Sequence, residues 1–144
     1  MRPFFALSFI AALAAGCAPA AGPRPGPWPA ANDRVSTRGG TLDATGIGQP
    51  DPKAVSQTQR RSTSRDAAIL DARTHLLGFL QRIMLPSGVS VGERATEDAA
   101  WRGRLEAALS GVEVRKTRWS ADDAATVVLS AEKTAVLRAL ELEP

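Results

Sequence analysis

Apolar residues at helical or strand spacing are confined to roughly the last 80 residues of this 144-residue chain, which limits where a core can form. Upstream, Pro, Gly and polar residues dominate, and the isolated Val35, Leu42 and Ile47 are too sparse for a core. The sequence therefore predicts a small domain over residues 61–144 behind a flexible Pro/Gly-rich tether over residues 17–60. Fully extended, such a tether reaches on the order of 100 Å.

The apolar spacing within the predicted domain indicates an α+β fold with a small antiparallel sheet, in the order α-β-α-β-β-α. The predicted elements are a helix over residues 65–84 capped by Ser62 or Ser64, a strand over 88–92, a helix capped by Thr96 and ended by Gly111, strands within 112–119 and 125–130 joined by a hairpin loop at 120–123, and a terminal helix capped by Ser130. The first helix is expected to bury a stripe formed by Ile69, Ala72, Leu76, Leu80 and Ile83.

Few residues offer catalytic or metal-binding chemistry. A lone Cys excludes an internal disulfide and a cysteine-based zinc cage, and the lone His75 is interpreted as a surface side chain of the first helix. The acidic pair Asp122–Asp123 is expected to form a turn, since adjacent side chains diverge. The glycines of TRGG and TGIG lack the strand and helix of a phosphate-binding loop and are interpreted as linker glycines. The sequence thus predicts no catalytic residues, no metal site and no cofactor.

The net charge of +3 is unevenly distributed. Residues 18–65 carry seven basic and three acidic side chains, whereas residues 66–144 carry ten basic and twelve acidic ones. A slightly acidic domain argues against nucleic acid as a partner. The arginines of the predicted tether either face anionic lipid head groups or cell-wall polymer, or only keep the arm soluble.

The amino terminus has the composition of a secretory signal peptide over residues 1–16. Arg2 precedes an almost wholly apolar run that is too short to span a bilayer, and small residues lead into Cys17. The stretch Leu13-Ala-Ala-Gly-Cys17 resembles the bacterial lipoprotein lipobox, with Ala where that motif usually has Leu. The resemblance implies cleavage after Gly16 and acylation of Cys17; the alternative is cleavage elsewhere, leaving a free thiol.

Acylation of Cys17 would fix the location of the protein. One acyl chain binds a membrane only marginally, whereas two or more anchor it stably. Because Ala18 rather than Asp follows the Cys, the expected location is the outer membrane, facing the periplasm.

The segment VEVRKTRW is the strongest candidate for an interaction site. Arg115, Lys116 and Arg118 alternate along the predicted strand, and Trp119 ends it. As a binding surface, this segment would meet an acidic polymer or an adjacent protein. As structure, its charges would keep an edge strand from unwanted pairing while Trp119 packs on the core.

From Asp66 to Leu129 the order of motifs resembles the Lpp-twenty-type bacterial lipoprotein family, which includes the flagellar-assembly lipoprotein FlgP. The resemblance is carried by AAILDARTHLLGFL, by GVSV and above all by LSGVEVRKTRWSADDAATVVL. Asp122-Asp123-Ala124 stands where the family usually has an Asp-Gly turn. The resemblance implies an envelope lipoprotein without enzymatic chemistry, some relatives of which assemble into envelope or flagellum-associated structures.

These features together predict a non-enzymatic lipoprotein anchored to the bilayer through Cys17. Its domain is expected to contact an envelope protein partner or to form a homo-oligomer. The alternative is an envelope module that binds cell-wall glycan or a small molecule.

Overall fold

The structure, a computed structural model, describes residues 27–142 of the chain. Over that range it contains a four-stranded sheet and four helices. In chain order the elements are β1 (Val35–Ser36), β2 (Thr41–Gly48), α1 (Gln57–Gln81), α2 (Val91–Glu97), α3 (Ala99–Ser110), β3 (Glu113–Trp119), β4 (Ala125–Glu132) and α4 (Lys133–Ala139).

The sheet has the strand order β1-β2-β4-β3, with every neighbouring pair antiparallel. Strand β2 is therefore internal, pairing with β4 along its whole length from Thr41 opposite Glu132 to Gly48 opposite Ala125. Alternate residues of β2 and β4 are buried beneath α1, since side chains alternate between the two faces of a strand. We call the α1-covered side the inner face and the opposite side the outer face.

Helix α1 can approach β2 closely because most inner-face positions of β2 carry small residues. Along the strand these positions are Leu42, Ala44, Gly46 and Gly48, and Leu42 and Ala44 are fully buried. A Cβ atom at Gly46 would lie 2.1 Å from the carbonyl oxygen of Ala68 in α1. The backbone of the helix thus rests almost directly on the strand, and any side chain at Gly46 would separate the two.

The predicted flexible tether is wrong for the segment that forms β1 and β2. Val35 and Leu42 are fully buried in the main core, although Ile47 is exposed on the outer face. The segment TGIG is the end of an internal strand rather than a linker. The prediction failed because two of the inward positions of β2 are glycine and one is alanine, so the strand lacks the apolar alternation that identifies a buried strand.

Helix α1 begins earlier than predicted. Ser56 is its N-cap: the Ser56 hydroxyl accepts from the backbone N–H of Gln59, whose side chain in turn accepts from the backbone N–H of Ser56. The predicted N-caps Ser62 and Ser64 both lie inside the helix, and Ser64 is fully buried. The expected stripe is confirmed at Ala72, Leu76, Leu80 and Ile83, which are fully buried, while Ile69 is only half-buried.

The strand predicted over residues 88–92 is wrong. Only an isolated bridge between Met84 and Ser90 forms there, and Ser90 instead caps α2 through a reciprocal hydrogen-bonded pair with Glu93. Helix α3 follows with Asp98 rather than the predicted Thr96 as its N-cap. The predicted helix end at Gly111 is confirmed.

The carboxy-terminal part of the prediction is largely confirmed. Strands β3 and β4 form where expected, joined by a loop at residues 120–124, and α4 follows β4 directly. The predicted cap Ser130 lies within β4, and the residue before α4 is Glu132. The chain is α+β with a small antiparallel sheet, but the order over the described residues is β-β-α-α-α-β-β-α rather than α-β-α-β-β-α.

Candidate interaction surface

Strand β3 forms one edge of the sheet and is the most exposed strand of the four. Every residue of β3 is exposed except Thr117, which is half-buried. Within residues 27–142, no other strand pairs with β3 on the side away from β4. The side chains predicted as an interaction site, Arg115, Lys116, Arg118 and Trp119, are therefore all accessible on one strand.

The two faces of β3 differ in chemistry. Lys116 lies opposite Val128 and Arg118 opposite Thr126, so both cations lie on the outer face of the sheet. Val114 lies opposite the buried Leu129 and is 39% exposed at the margin of the inner face. The outer face of β3 thus carries Lys116 and Arg118 together with Glu113 near its start, and the opposite face carries Val114 and Trp119.

Arg115 is held apart from the other cations by a β-bulge between Val114 and Lys116. The bulge directs its guanidinium across β4 to Asp43 of β2, where Arg115 Nη1 lies 2.9 Å from Asp43 Oδ2. The hydroxyl of Ser130 donates to the other carboxylate oxygen of Asp43 at 2.6 Å. Arg115 is thus paired within the sheet, and the exposed cationic pair is Lys116 and Arg118.

Trp119 does not pack in the core, contrary to the structural interpretation of the sequence. Its ring is 40% exposed, and its indole Nε1–H donates to the backbone carbonyl of Arg61 at 3.1 Å. The guanidinium of Arg61 lies 5.8 Å from the ring centroid, within cation–π distance. Trp119 therefore packs at the edge of the sheet against the first turns of α1.

The β3–β4 loop is attached to the same helix turns by an ion pair. Asp123, with φ of 63°, accepts from Arg61 Nε at 2.9 Å and from Arg60 Nε at 3.2 Å. These hydrogen bonds, that from Arg61 first, lower the pKa of Asp123 below its usual value. The expectation that Asp122–Asp123 forms a turn is confirmed, and Asp122 itself accepts a short hydrogen bond from Ser120.

The opposite edge of the sheet is closed by other parts of the chain. Beyond the short strand β1, the backbone N–H of Thr45 donates to the carbonyl of Arg34 at 2.8 Å. The N–H of Ile47 donates to the Asp71 carboxylate of α1 at 2.9 Å. The side of β2 away from β4 is thus occupied, whereas the side of β3 away from β4 has no strand partner in the described part of the chain.

The other residues singled out in the sequence lie outside β3. His75 is half-exposed on α1, with its Nε2 3.4 Å from Asp71 Oδ1, so it is the surface histidine that the sequence predicts. Among residues 27–142, no group of three or more His, Cys, Asp and Glu side chains is placed to hold a metal ion. No helix in that range is long and apolar enough to cross a bilayer. Cys17, the predicted lipidation site, lies outside the described residues.

An open groove of about 440 Å³ lies between the end of α1 and helices α2 and α3. Its apolar lining is formed by Leu77, Ala95, Leu105 and Leu109, with Arg102 and Glu106 among the polar residues. The groove is separate from β3, and its lining suits an apolar molecule better than a glycan.

Sequence reasoning missed the partners that hold the surface in place. Asp43 and Arg60 lie in the segment interpreted as tether and Arg61 is the first residue after it, yet these residues bind Arg115, Asp123 and, through the Arg61 carbonyl, Trp119. These contacts join residues about 60 to 70 positions apart, so no local pattern identifies them. The available local signal was the Ser56–Gln59 capping pair, which places Arg60 and Arg61 on the helix.

Comparison with known proteins gives no match: no family model, no curated protein and no solved structure matches the chain. The function is therefore inferred from the residues and their geometry.

Proposed function

We propose that the protein is a non-enzymatic bacterial lipoprotein, anchored through acylated Cys17, whose domain makes protein–protein or self-assembly contacts in the cell envelope. Two independent features support the two halves of this proposal. The lipobox-like stretch Leu13–Cys17 supports the anchor. The open, cationic edge strand β3 supports the contact, and it is the observation that carries the functional conclusion.

An unpaired strand at a sheet edge is suited to macromolecular contacts. Its free N–H and C=O groups can pair with another chain, and proteins usually cover or shorten such edges. Within residues 27–142, Asp71 and Arg34 close the edge of β2, whereas no strand pairs with the free edge of β3 along its seven residues. That selective exposure favours an interface at β3.

The chain between anchor and domain is much shorter than the sequence suggests. Trp28 already packs against the main core, so only residues 18–27 separate it from Cys17. A fully extended chain of that length spans about 35 Å. An anchored domain would consequently stay close to the membrane surface, and its partner would have to lie within the same narrow layer.

The anchor is tested by Cys17→Ser in cells. We expect the substitution to abolish labelling by a fatty-acid probe and to release the protein from the membrane fraction. A matched Ser8→Cys variant, which adds a thiol within the apolar run, should leave Cys17-dependent labelling unchanged. Persistent labelling of Cys17→Ser would remove the anchor from the proposal.

The contact is tested by replacing Lys116 of β3 with a photo-crosslinking amino acid in the full chain and irradiating cells. The control places the same group at Arg73, an exposed residue of α1. We expect a discrete crosslinked species from position 116 and none from position 73. Crosslinks of equal yield at both positions, or at neither, would contradict a specific contact at β3.

The alternative is an envelope ligand-binding module for cell-wall glycan or a small molecule, and the apolar groove lined by Leu77, Leu105 and Leu109 is the observation that favours the small molecule. Leu109→Arg, at a partly buried position of the lining, would place a cation in this groove. Binding of an apolar fluorescent dye that is lost in Leu109→Arg, together with no specific crosslink from β3, would favour the alternative. Co-sedimentation with purified cell wall would instead indicate the glycan.

A further inference from the structure

We propose that the partner of β3 is an extended segment of another protein that alternates acidic and apolar residues and adds to the sheet as a fifth strand beside Lys116–Trp119. This inference rests on the proposed protein–protein function and names the chemistry of the partner. The segment that binds the edge of β3 is neither a second copy of this chain nor the chain's own amino-terminal segment.

The stretch Lys116–Trp119 has the regular geometry that strand addition requires. After the bulge, four consecutive pairs with β4 run without interruption from Lys116 opposite Val128 to Trp119 opposite Ala125. In an antiparallel ladder, alternate residues direct their N–H and C=O groups to the other side of the strand. On the side away from β4, this stretch therefore offers backbone N–H and C=O groups to an incoming strand.

The charges of the edge select an acidic partner face. Lys116 and Arg118 lie two positions apart on the outer face, and neither has an ion-pair partner within residues 27–142. Arg115, by contrast, is already neutralised by Asp43. An added strand with carboxylates at positions i and i+2 would set each one opposite one of the two free cations, the favourable arrangement for cross-strand pairs.

The opposite face of the edge selects apolar residues in the partner. Val114 and Trp119 lie on the inner-face side of β3 and are 39% and 40% exposed. Both side chains are partly exposed at the edge of the sheet, so apolar side chains of an added strand would cover them. A strand that alternates Glu or Asp with Val, Ile or Leu meets both requirements at once.

A second copy of β3 does not meet the requirement for acidic residues opposite Lys116 and Arg118. Two copies of this stretch can pair antiparallel, with their outer faces aligned, in three registers. These registers place Lys116 opposite the Lys116 of the other copy, Lys116 opposite its Arg118, or Arg118 opposite its Arg118. Like charges directly opposite each other destabilise a strand pair. Over Lys116–Trp119 the charges thus oppose self-pairing while attracting an acidic strand.

The amino-terminal segment of the chain is excluded by its composition. Residues 17–27 contain four prolines, at positions 19, 23, 25 and 27, and carry no acidic residue. Proline has no N–H to donate to a ladder. This segment can therefore neither pair with β3 nor neutralise its cations.

The test uses the full-length lipoprotein in detergent micelles and a fluorescein-labelled seven-residue peptide that alternates Glu and Val, measured by fluorescence anisotropy. The control peptides alternate Lys and Val, or carry Pro in place of the central residue of the Glu/Val peptide. We expect the Glu/Val peptide to bind at least about tenfold more tightly than either control, because only it supplies both charge complementarity and a continuous ladder. Hydrogen exchange at the amides of Lys116–Trp119 should slow on binding.

The matched variants are Lys116→Glu/Arg118→Glu in β3 and Arg73→Glu/Arg94→Glu on α1 and α2, which change the net charge equally. We expect the β3 variant to lose about tenfold in affinity for the Glu/Val peptide and to gain affinity for the Lys/Val peptide, whereas the helix variant behaves as the parent. Equal loss in both variants would overturn the inference in favour of unspecific charge attraction. Equal binding of the proline peptide would overturn strand addition and indicate an anionic polymer.

The crosslinking experiment at position 116 separates this inference from the proposed function. If a protein is captured in cells but the Glu/Val peptide does not bind, the protein–protein contact stands and the acidic-strand partner is wrong. If a crosslinked dimer of this chain is captured instead, self-assembly replaces the acidic partner. If nothing is captured and no peptide binds, both proposals fail.

Discussion

Strands β2 and β3 belong to the same sheet and have similar lengths, eight and seven residues, yet they differ in nearly every physical respect. Strand β2 is internal, has small or apolar residues on its inner face and supports α1 at backbone contact distance. Strand β3 is at an edge, carries Arg115, Lys116 and Arg118, and is exposed along most of its length. The stability of the fold should therefore depend on β2, and the contacts with other molecules on β3.

The two strands also show that local composition is a poor guide to structural importance. The segment TLDATGIG of β2 looks like linker because its glycines remove the side chains that identify a strand. The segment EVRKTRW of β3 is recognisable as a strand because β-branched and aromatic residues alternate with charged ones at both ends of it. The strand that is harder to recognise is the one nearer the centre of the fold.

The largest effect is expected from adding a side chain to the inner face of β2. Gly46→Val places a Cβ 2.1 Å from the carbonyl oxygen of Ala68 and 2.4 Å from the amide nitrogen of Ala72, so strand and helix must separate. We expect the free energy of unfolding to fall by about 3 kcal/mol or more, measured by urea denaturation. Gly40→Ala is the control, since its Cβ would only contact the Glu132 carboxylate at 3.7 Å. Near-native stability of Gly46→Val would show that α1 does not rest on β2 as described.

A matched truncation compares the two strands directly. Leu42→Ala in β2 empties a fully buried position and should cost roughly 3 kcal/mol of unfolding free energy. Val114→Ala in β3 removes a side chain that is 39% exposed and should cost less than about 1 kcal/mol. Thermal and urea unfolding of both variants would measure the difference. Equal losses would contradict the assignment of β2 to the core and β3 to the surface.

The attachment of the β3–β4 loop to α1 should depend on pH. Because Arg61 and Arg60 lower the pKa of Asp123 in the folded state, its carboxylate stabilises the fold above the pKa of the unfolded side chain, about 3.9. This contribution should be lost as the pH falls below that value. Asp123→Asn should therefore be less stable than the parent at pH 7, with the difference narrowing toward pH 3 in urea unfolding.

The control for this experiment is Asp66→Asn, which neutralises an exposed carboxylate of α1. Its difference from the parent should be small at both pH values. If Asp123→Asn shows the same difference at pH 7 and pH 3, the ionised carboxylate is not the stabilising species.

The smallest effect on stability is expected from the cations of β3. Lys116→Ser and Arg118→Ser remove exposed side chains without an ion-pair partner in residues 27–142, so unfolding free energies should change by no more than about 0.5 kcal/mol each. Calorimetric unfolding would detect a larger change. A loss above 1 kcal/mol, on the order of a buried interaction, would mean that these cations serve the fold rather than a contact.

Much of the carboxy-terminal half was accessible from the sequence because its signals are local. The stripe of Ala72, Leu76 and Leu80 predicts a buried helix face, and Gly111 predicts the end of a helix. Capping is also local, but the Ser90–Glu93 pair competed with an apparent Val-rich strand, and the strand interpretation was wrong. A strand and a helix cap are both compatible with the local sequence around Ser90. Tertiary packing decides between them, and a local sequence pattern carries no information about packing.

The strand that carries the candidate residues was predicted from the sequence, but the contacts of their side chains were not. The sequence places Arg115, Lys116 and Arg118 on one strand. It does not show the β-bulge that turns Arg115 toward Asp43, because Asp43 lies on β2, two strands away in the sheet. The structural interpretation of this segment placed Trp119 on the core, whereas the alternative made it part of a binding surface. Its location at the edge follows from the position of Arg61, whose carbonyl and guanidinium it contacts.

The sequence alone determined the α+β class, the long helix, the β3–β4 hairpin and the absence of a disulfide within the chain, since each depends on neighbouring residues or on a count. Only the tertiary structure decided that residues 35–36 and 41–48 belong to the sheet, and that within residues 27–142 β3 is an edge strand whose Lys116 and Arg118 have no ion-pair partner. The physical reason is that burial and strand order arise from contacts between distant segments. Gly46 is informative only once the backbone of Ala68 is known to lie against it.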